Sequence, residues 1–342
     1  MPLTRRAATG LILAGLATPA FGRTVPVPVK IPTRGFALPD WLATQARVPA
    51  TALLMELRAR GFESIRLPVD PAYVTPSTLT GILDVLTAVT GFGFNAILDL
   101  HPGGNLEPDQ ITRAWDLLAP VLADTPPDKV YAELLNEPSF EPRAWRSLRD
   151  RLAGDIRRVA PLHTLIWGPA RVQGIWELDA TGPLADHNSI VAVHYYTPMG
   201  FTHQCENWDD NPLTRLNHLP FPTTRHAPAV EALAATLTAS DRAFLDGEFK
   251  GPWTTARIDR DLSDLAAWAT KHRTAAMLGE FGVLDFCVDA TSRTRWVHDV
   301  RAAAEARGIG WAYWEVDQGF GFVADRAAAG GIDAAMLEAL LA

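Results

Sequence analysis

The chain has 342 residues, of which 48% are hydrophobic and 20% charged, and its formal net charge is −8. This length suits one α/β barrel, and the composition supplies a large core and excludes a disordered chain. The acidic balance, with no block of Lys or Arg to offset it, argues against a nucleic-acid surface.

The chain opens with Arg5 and Arg6 ahead of an apolar stretch from Ala7 to Ala20, with small residues at Ala20 and Gly22. That is the pattern of an export signal over residues 1–22, and Thr4-Arg5-Arg6 is similar to the start of the twin-arginine type. The apolar stretch is too short to span a bilayer, and no second hydrophobic span follows. The expectation is therefore a cleaved signal and a catalytic domain over residues 23–342, periplasmic or secreted, monomeric and without a membrane span.

Beyond the signal, short apolar runs alternate with helical patterns. The runs expected as strands are residues 33–37, 63–67, 94–100, 130–135, 164–167, 190–195, 275–279 and 310–314. Helical periodicity covers residues 50–60, 79–90, 111–122, 142–159, 262–272 and 292–307. Strand–helix alternation predicts a parallel sheet with helical crossovers, and eight repetitions predict a closed (β/α)8 TIM barrel in a single domain. The rhythm breaks after the sixth strand, where residues 196–274 are too long for one crossover. The part through Thr224 reads as a loop over the catalytic face, and the later part, including residues 230–237, as helical.

Reactive side chains of barrel enzymes sit at the C-terminal ends of strands. In order, those ends carry Arg66-Leu67-Pro68, Asp99-Leu100-His101-Pro102, Asn136-Glu137-Pro138, His194-Tyr195-Tyr196, Gly279-Glu280-Phe281-Gly282 and Tyr313-Trp314. Glycosidic hydrolysis needs one carboxylic acid to protonate the leaving oxygen and one carboxylate to attack the anomeric carbon or activate water. A lone strand-end glutamate more often pairs with an arginine. Two of them, Glu137 and Glu280, at the fourth and seventh strands and flanked by His, Tyr, Trp and Arg, favour catalysis.

This ordered set resembles family 5 of the glycoside hydrolases, the cellulase family, over almost the whole mature chain. The resemblance implies Glu137 as acid/base and Glu280 as nucleophile of a retaining endo-β-glycosidase acting on β-1,4-glucan. A β-mannan or another β-linked exopolysaccharide is the alternative substrate. It further implies that Asn136 bonds the sugar 2-hydroxyl and that Arg66 and Tyr196 orient the nucleophile. By the same likeness His101 contacts the sugar, His194 stands beside the acid/base, and Trp314 is a stacking floor.

Other residues draw different readings. Glu133 reads as the buried partner of a cation, and Asp99 as structural. His203 and Trp208 could touch substrate or simply lie in a solvated loop. Gly247-Glu248-Phe249 repeats the tripeptide around Glu280, but using it would leave residues 275–279 without a place in an eight-fold barrel. A metal-dependent hydrolase built on His101 and His194 lacks the close histidine pair of such sites, so neither metal nor cofactor is expected. A barrel that binds sugar without cleaving it should have lost one glutamate, and both are present. Cys205 and Cys287 follow neighbouring strands, and a disulfide between them is expected to pin residues 196–224.

Overall fold

The computed structural model describes residues 29–342, so the expected export signal lies outside the described residues. Eight parallel strands close into a barrel in sequence order. They are β1 (Gly35–Ala37), β2 (Ser64–Val69), β3 (Asn95–Leu100), β4 (Val130–Glu133), β5 (Thr164–Trp167), β6 (Ser189–Tyr195), β7 (Ala275–Phe281) and β8 (Gly310–Tyr313). Their residues are buried almost without exception. That is expected of a parallel sheet covered by helices outside and filled by side chains inside.

The helices are α1 (Thr51–Arg60), α2 (Leu79–Gly91), α3 (Pro108–Ala123), α4 (Pro142–Val159), α5 (Leu178–Thr181), α6 (Met199–Thr202), α7 (Pro228–Ala234), α8 (Ala239–Glu248), α9 (Thr255–His272), α10 (Ala290–Glu305) and α11 (Ala334–Leu341). Local chemistry sets many of their ends. Glu107 and Gln110 form a capping box ahead of Pro108 on α3, and Asp289 accepts from the Ser292 amide at the start of α10. Gly61, in the left-handed region at φ 117°, closes α1. The segment after β6 holds the short α6 in the part read as a loop, and its later part is helical as expected, with α7, α9 and, between them, α8. Thr238 caps that helix by accepting from the Asp241 amide, so the Gly247-Glu248-Phe249 decoy ends a helix rather than a strand. Among the described residues, no helix is long and apolar enough to cross a membrane.

Side chains inside the barrel fall into two layers. The lower is apolar: Ile97, Tyr131, Ile166, Ile190, Ala192 and Met277 form their own buried cluster. The upper is charged, with Arg66, Asp99, Glu133, His194 and Glu280 all buried. Alternation carries most strands from one layer to the other, as with Ile97 and Asp99 on β3 or Tyr131 and Glu133 on β4. On β7 alternation alone fails. Met277 faces in and Leu278 faces the outer core, so an unbroken strand would turn Glu280 outward. The pairing with β6 shifts by one residue, from Val193 opposite Leu278 to His194 opposite Glu280. Gly279 is the extra residue of this bulge, and it restores Glu280 to the interior. A Cβ there would stand 3.2 Å from His194 Nε2, so the position favours glycine.

Four strands end differently from the sequence reading, the first being β2, which runs on to Val69 rather than stopping at residue 67. β4 stops at Glu133 rather than residue 135, because Asn136 leaves the ladder and donates its amide to the Leu100 carbonyl at 2.9 Å. β7 runs on through Glu280 to Phe281, and β8 stops at Tyr313, one residue short of Trp314. Cys205 and Cys287 are joined as a disulfide, with Cα atoms 6.0 Å apart, linking the segments after β6 and β7.

Candidate active site

Arg66 organises the floor of the site. Its guanidinium is fully buried and donates to Glu133 at 2.7 and 3.0 Å, to Glu280 Oε1 at 2.6 Å and to Asn136 Oδ1 at 2.8 Å. It also lies 3.0 Å from Asp99. Burial by itself disfavours the cation, but Asp99, then Glu133 and Glu280, hold the Arg66 pKa well above its ordinary value. Burial raises the Glu133 carboxyl, with Arg66 opposing. Glu133 is thus the buried partner of a cation.

Asp99 has the structural role read for it, as a second buried partner of the Arg66 cation. It faces the upper layer and binds His101 Nδ1 at 2.8 Å as well as Arg66. A carboxylate at Nδ1 requires a proton there, which leaves His101 Nε2 to accept from Asn136 Nδ2 at 3.2 Å. The His101 ring stacks on Trp314, with centroids 5.3 Å apart and planes 17° apart. Asn136 is therefore held at both ends of its amide, by Arg66 and His101, and one Nδ2 hydrogen stays free for a ligand hydroxyl.

Glu280 lies inside the barrel and accepts from Tyr196 Oη at 2.9 Å as well as from Arg66. Burial would raise its carboxyl, but the charges of His194 and Arg66 and the Tyr196 hydrogen bond overcome this and hold it at about 2. Burial pushes the Tyr196 hydroxyl well above its usual value, followed by the Glu280 charge, so the phenol stays a donor.

Glu137 is mounted differently. It sits on the turn after β4 with φ 44° and a side chain 39% exposed. Its Oε1 bonds His194 Nδ1 at 2.9 Å, and the same nitrogen is 3.4 Å from Glu280 Oε2. Burial works to lower His194, but Glu280 and Glu137 hold it above its ordinary value. Behind Glu137, its backbone amide donates to Gln173 Oε1 at 2.6 Å. No motif in the sequence pointed to Gln173.

Glu137, His194 and Glu280 bring ligand atoms within 4.8 Å of one another and are the one group among the described residues with the spacing of a metal site. Arg66 already occupies one Glu280 oxygen and Tyr196 the other, so a cation there would have to displace or oppose them. His101 is turned away from this group, toward Asp99 and Asn136.

A cleft of about 730 Å3 opens above these residues. His203 and Trp208 both line it, His203 buried and Trp208 52% exposed. His203 packs edge-on to Tyr196, Phe320 and Trp208, and burial lowers it to about 4 against the pull of Glu280. Trp176, 67% exposed, and Phe286, 42% exposed, add aromatic surface that the sequence reading did not single out. The cleft lining contains five carboxylates and neither Lys nor Arg. Glu248 is elsewhere, accepting from the Gly200 amide at 2.8 Å below α6.

The family model for cellulase (glycosyl hydrolase family 5) matches residues 24–319. Endoglucanase 3 of Fibrobacter succinogenes is 24% identical over an alignment of 316 residues that covers 82% of this chain; the chain spans about half (48%) of that protein's length. Among solved structures, a hyperthermophilic endo-β-1,4-glucanase in complex with substrate superposes with a TM-score of 0.74 at 23% identity, covering 90% of this chain and 96% of the other. Thermotoga maritima Cel5A in complex with mannotriose gives a TM-score of 0.71 at 22% identity, covering 90% and 97%.

Proposed function

Given that this chain belongs to glycosyl hydrolase family 5 and is a glycosidase, we propose that it cleaves β-1,4-glucan internally, with retention of configuration. The observation that carries this reading is the pairing of Glu137 and Glu280. Their ligand oxygens lie within 4.8 Å, one carboxyl buried and held ionised at about 2, the other half exposed on the opposite rim. Retaining glycosidases hold their carboxyls about 5–5.5 Å apart, whereas inverting enzymes need about 6.5–9.5 Å to fit a water between them.

In the first step the Glu280 carboxylate attacks the anomeric carbon while Glu137 donates its proton to the leaving oxygen. The bond to the leaving sugar breaks and a covalent glycosyl-enzyme forms. In the second step Glu137, now ionised, takes a proton from water. The water oxygen bonds the anomeric carbon and Glu280 leaves as carboxylate. Arg66 and Tyr196 keep Glu280 ionised and aimed, and the free Nδ2 hydrogen of Asn136 meets the 2-hydroxyl, a bond that strengthens in the transition state. Trp314, braced by His101, supplies the apolar floor under the sugar.

A panel of β-1,4-glucan, mixed-linkage glucan and β-mannan, run with and without chelator, tests this. Loss of viscosity ahead of reducing-sugar release marks internal cleavage, and NMR of the first product gives the anomer. Retained configuration and chelator-insensitive cleavage of β-1,4-glucan are expected. An inverted product, or activity abolished by chelator, overturns the mechanism, and cleavage of β-mannan alone replaces the substrate. The Arg5-Arg6 start and apolar run support export as part of the same reading. N-terminal sequencing from the native host should find a new terminus near residue 23, and an intact Met1 or Pro2 would refute it.

A further inference from the structure

We infer that Gln173 is a positioning residue for Glu137, holding the proton donor through its main chain; the inference rests on the acid/base reading above. Gln173 is fully buried on the turn after β5, in a region that the catalytic motifs do not touch. Its side chain makes two bonds in opposite directions. Oε1 accepts from the Glu137 amide at 2.6 Å, and Nε2 donates to the Ala192 carbonyl on β6 at 3.3 Å. Its own carbonyl accepts from the His194 amide at 3.0 Å. Since His194 Nδ1 bonds the Glu137 carboxyl at 2.9 Å, a closed circuit results. It runs from the Glu137 carboxyl through His194 and Gln173 back to the Glu137 amide. Both ends of Glu137 are thereby tied to β6.

The backbone around Gln173 is shaped to make this reach. Arg171, Val172 and Gln173 have φ of 51°, 60° and 57°, three successive non-glycine residues in the left-handed region. For a β-branched residue such as Val172 that conformation is costly and persists only where surrounding contacts enforce it. Gly168 makes room beneath the side chain: a Cβ there would lie 2.1 Å from Gln173 Cγ. Glu137 also has positive φ, and without Gln173 its buried-side amide would lose this partner. A group that gives up a proton and then takes one back at two different oxygens depends on being held to a fraction of an ångström.

The test separates proton donation from general damage by varying the leaving group. A 2,4-dinitrophenyl leaving group needs no proton, and a phenyl one does. For aryl β-cellobiosides, or aryl β-mannobiosides if those are the ones cleaved, kcat/KM reports the first step. Gln173→Ala is expected to lose about 10–100-fold on the phenyl glycoside, within the range general acid catalysis contributes, and little on the dinitrophenyl one. Gly168→Ala, which leaves Gln173 intact but displaces it, should split the substrates in the same direction and stands in if Gln173→Ala does not fold. Gln173→Glu, buried and so protonated at low pH, keeps both an acceptor and a donor. It should restore turnover of the phenyl glycoside at low pH and lose it as pH rises.

Equal losses on both glycosides in the folded variants would overturn the inference. Glu137→Ala is measured beside them. If it shows the split and the Gln173 variants do not, this inference alone fails. If it shows none, the assignment of Glu137 as acid fails, and a wild type that cleaves neither glycoside removes both.

Discussion

Glu137 and Glu280 face each other across one barrel mouth and are mounted in opposite ways. Glu280 belongs to a strand, is buried, and is held by side chains: Arg66 at 2.6 Å, Tyr196 at 2.9 Å and His194 at 3.4 Å. Glu137 belongs to a turn with positive φ and is half exposed. One side-chain bond, to His194, holds its carboxyl, and Gln173 grips its amide from behind. On the proposed mechanism, the contrast follows from what each group would be asked to do. A nucleophile must stay ionised, so cations and donors surround it in a low-dielectric site. A group that alternates between acid and base cannot be locked into one charge state, so its position is set mainly through the backbone.

The largest test of this contrast is removal of the proposed nucleophile. Glu280→Gln should fold and lose turnover on the order of 10⁶-fold, the scale seen when a covalent nucleophile is deleted. Glu248→Gln, altering the same tripeptide at the end of α8, should stay near native. Comparable losses in the two variants, measured by kcat/KM, would dissolve the distinction between site and decoy.

Glu137→Gln comes next. Its loss should be about 10²–10⁴-fold on substrates whose leaving group needs a proton and far smaller on a dinitrophenyl glycoside. A loss that ignored the leaving group would mean that Glu137 is not the acid.

Tyr196→Phe probes how Glu280 is kept ionised. The phenol stabilises the carboxylate, so its removal raises the Glu280 pKa, and the acid limb of kcat/KM moves to higher pH. A hydrogen bond to a charged group is worth about 1.5–3 kcal/mol, or roughly one to two pH units. An unmoved acid limb would show that Arg66 and His194 suffice.

The smallest effect on turnover is expected from the disulfide, which braces only the wall beside Glu280. The 82-residue separation between Cys205 and Cys287 corresponds to about 4.5 kcal/mol of chain entropy. Cys205→Ser should therefore lower Tm by several degrees and leave kcat close to native. Thiol titration of the denatured, unreduced protein should find no free thiol, and finding two would remove the brace.

Much of this protein was legible residue by residue. Parallel strands buried on both faces read as short apolar runs, and their spacing by helix-length segments specifies a barrel. Asn136-Glu137-Pro138 and Gly279-Glu280-Phe281 stand out because each sits where an apolar run stops. The long segment after β6 and the cysteine pair were also visible, because chain length and strand adjacency are properties of order alone.

Tertiary structure decided the rest. Period-two alternation turns Glu280 away from the barrel axis, and only pairing with β6 reveals the bulge at Gly279 that turns it back. Asp99 finds the cation it partners only when β2 lies beside β3 and brings Arg66 within 3.0 Å of it. Gln173 has no signature at all. An amide side chain is silent in sequence, and it acquires a role only when β4, β5 and β6 bring the Glu137 amide and the Ala192 carbonyl to opposite ends of it. Apolar order along the chain encodes which elements form, whereas hydrogen bonds and charge depend on distances between strands that no local pattern contains.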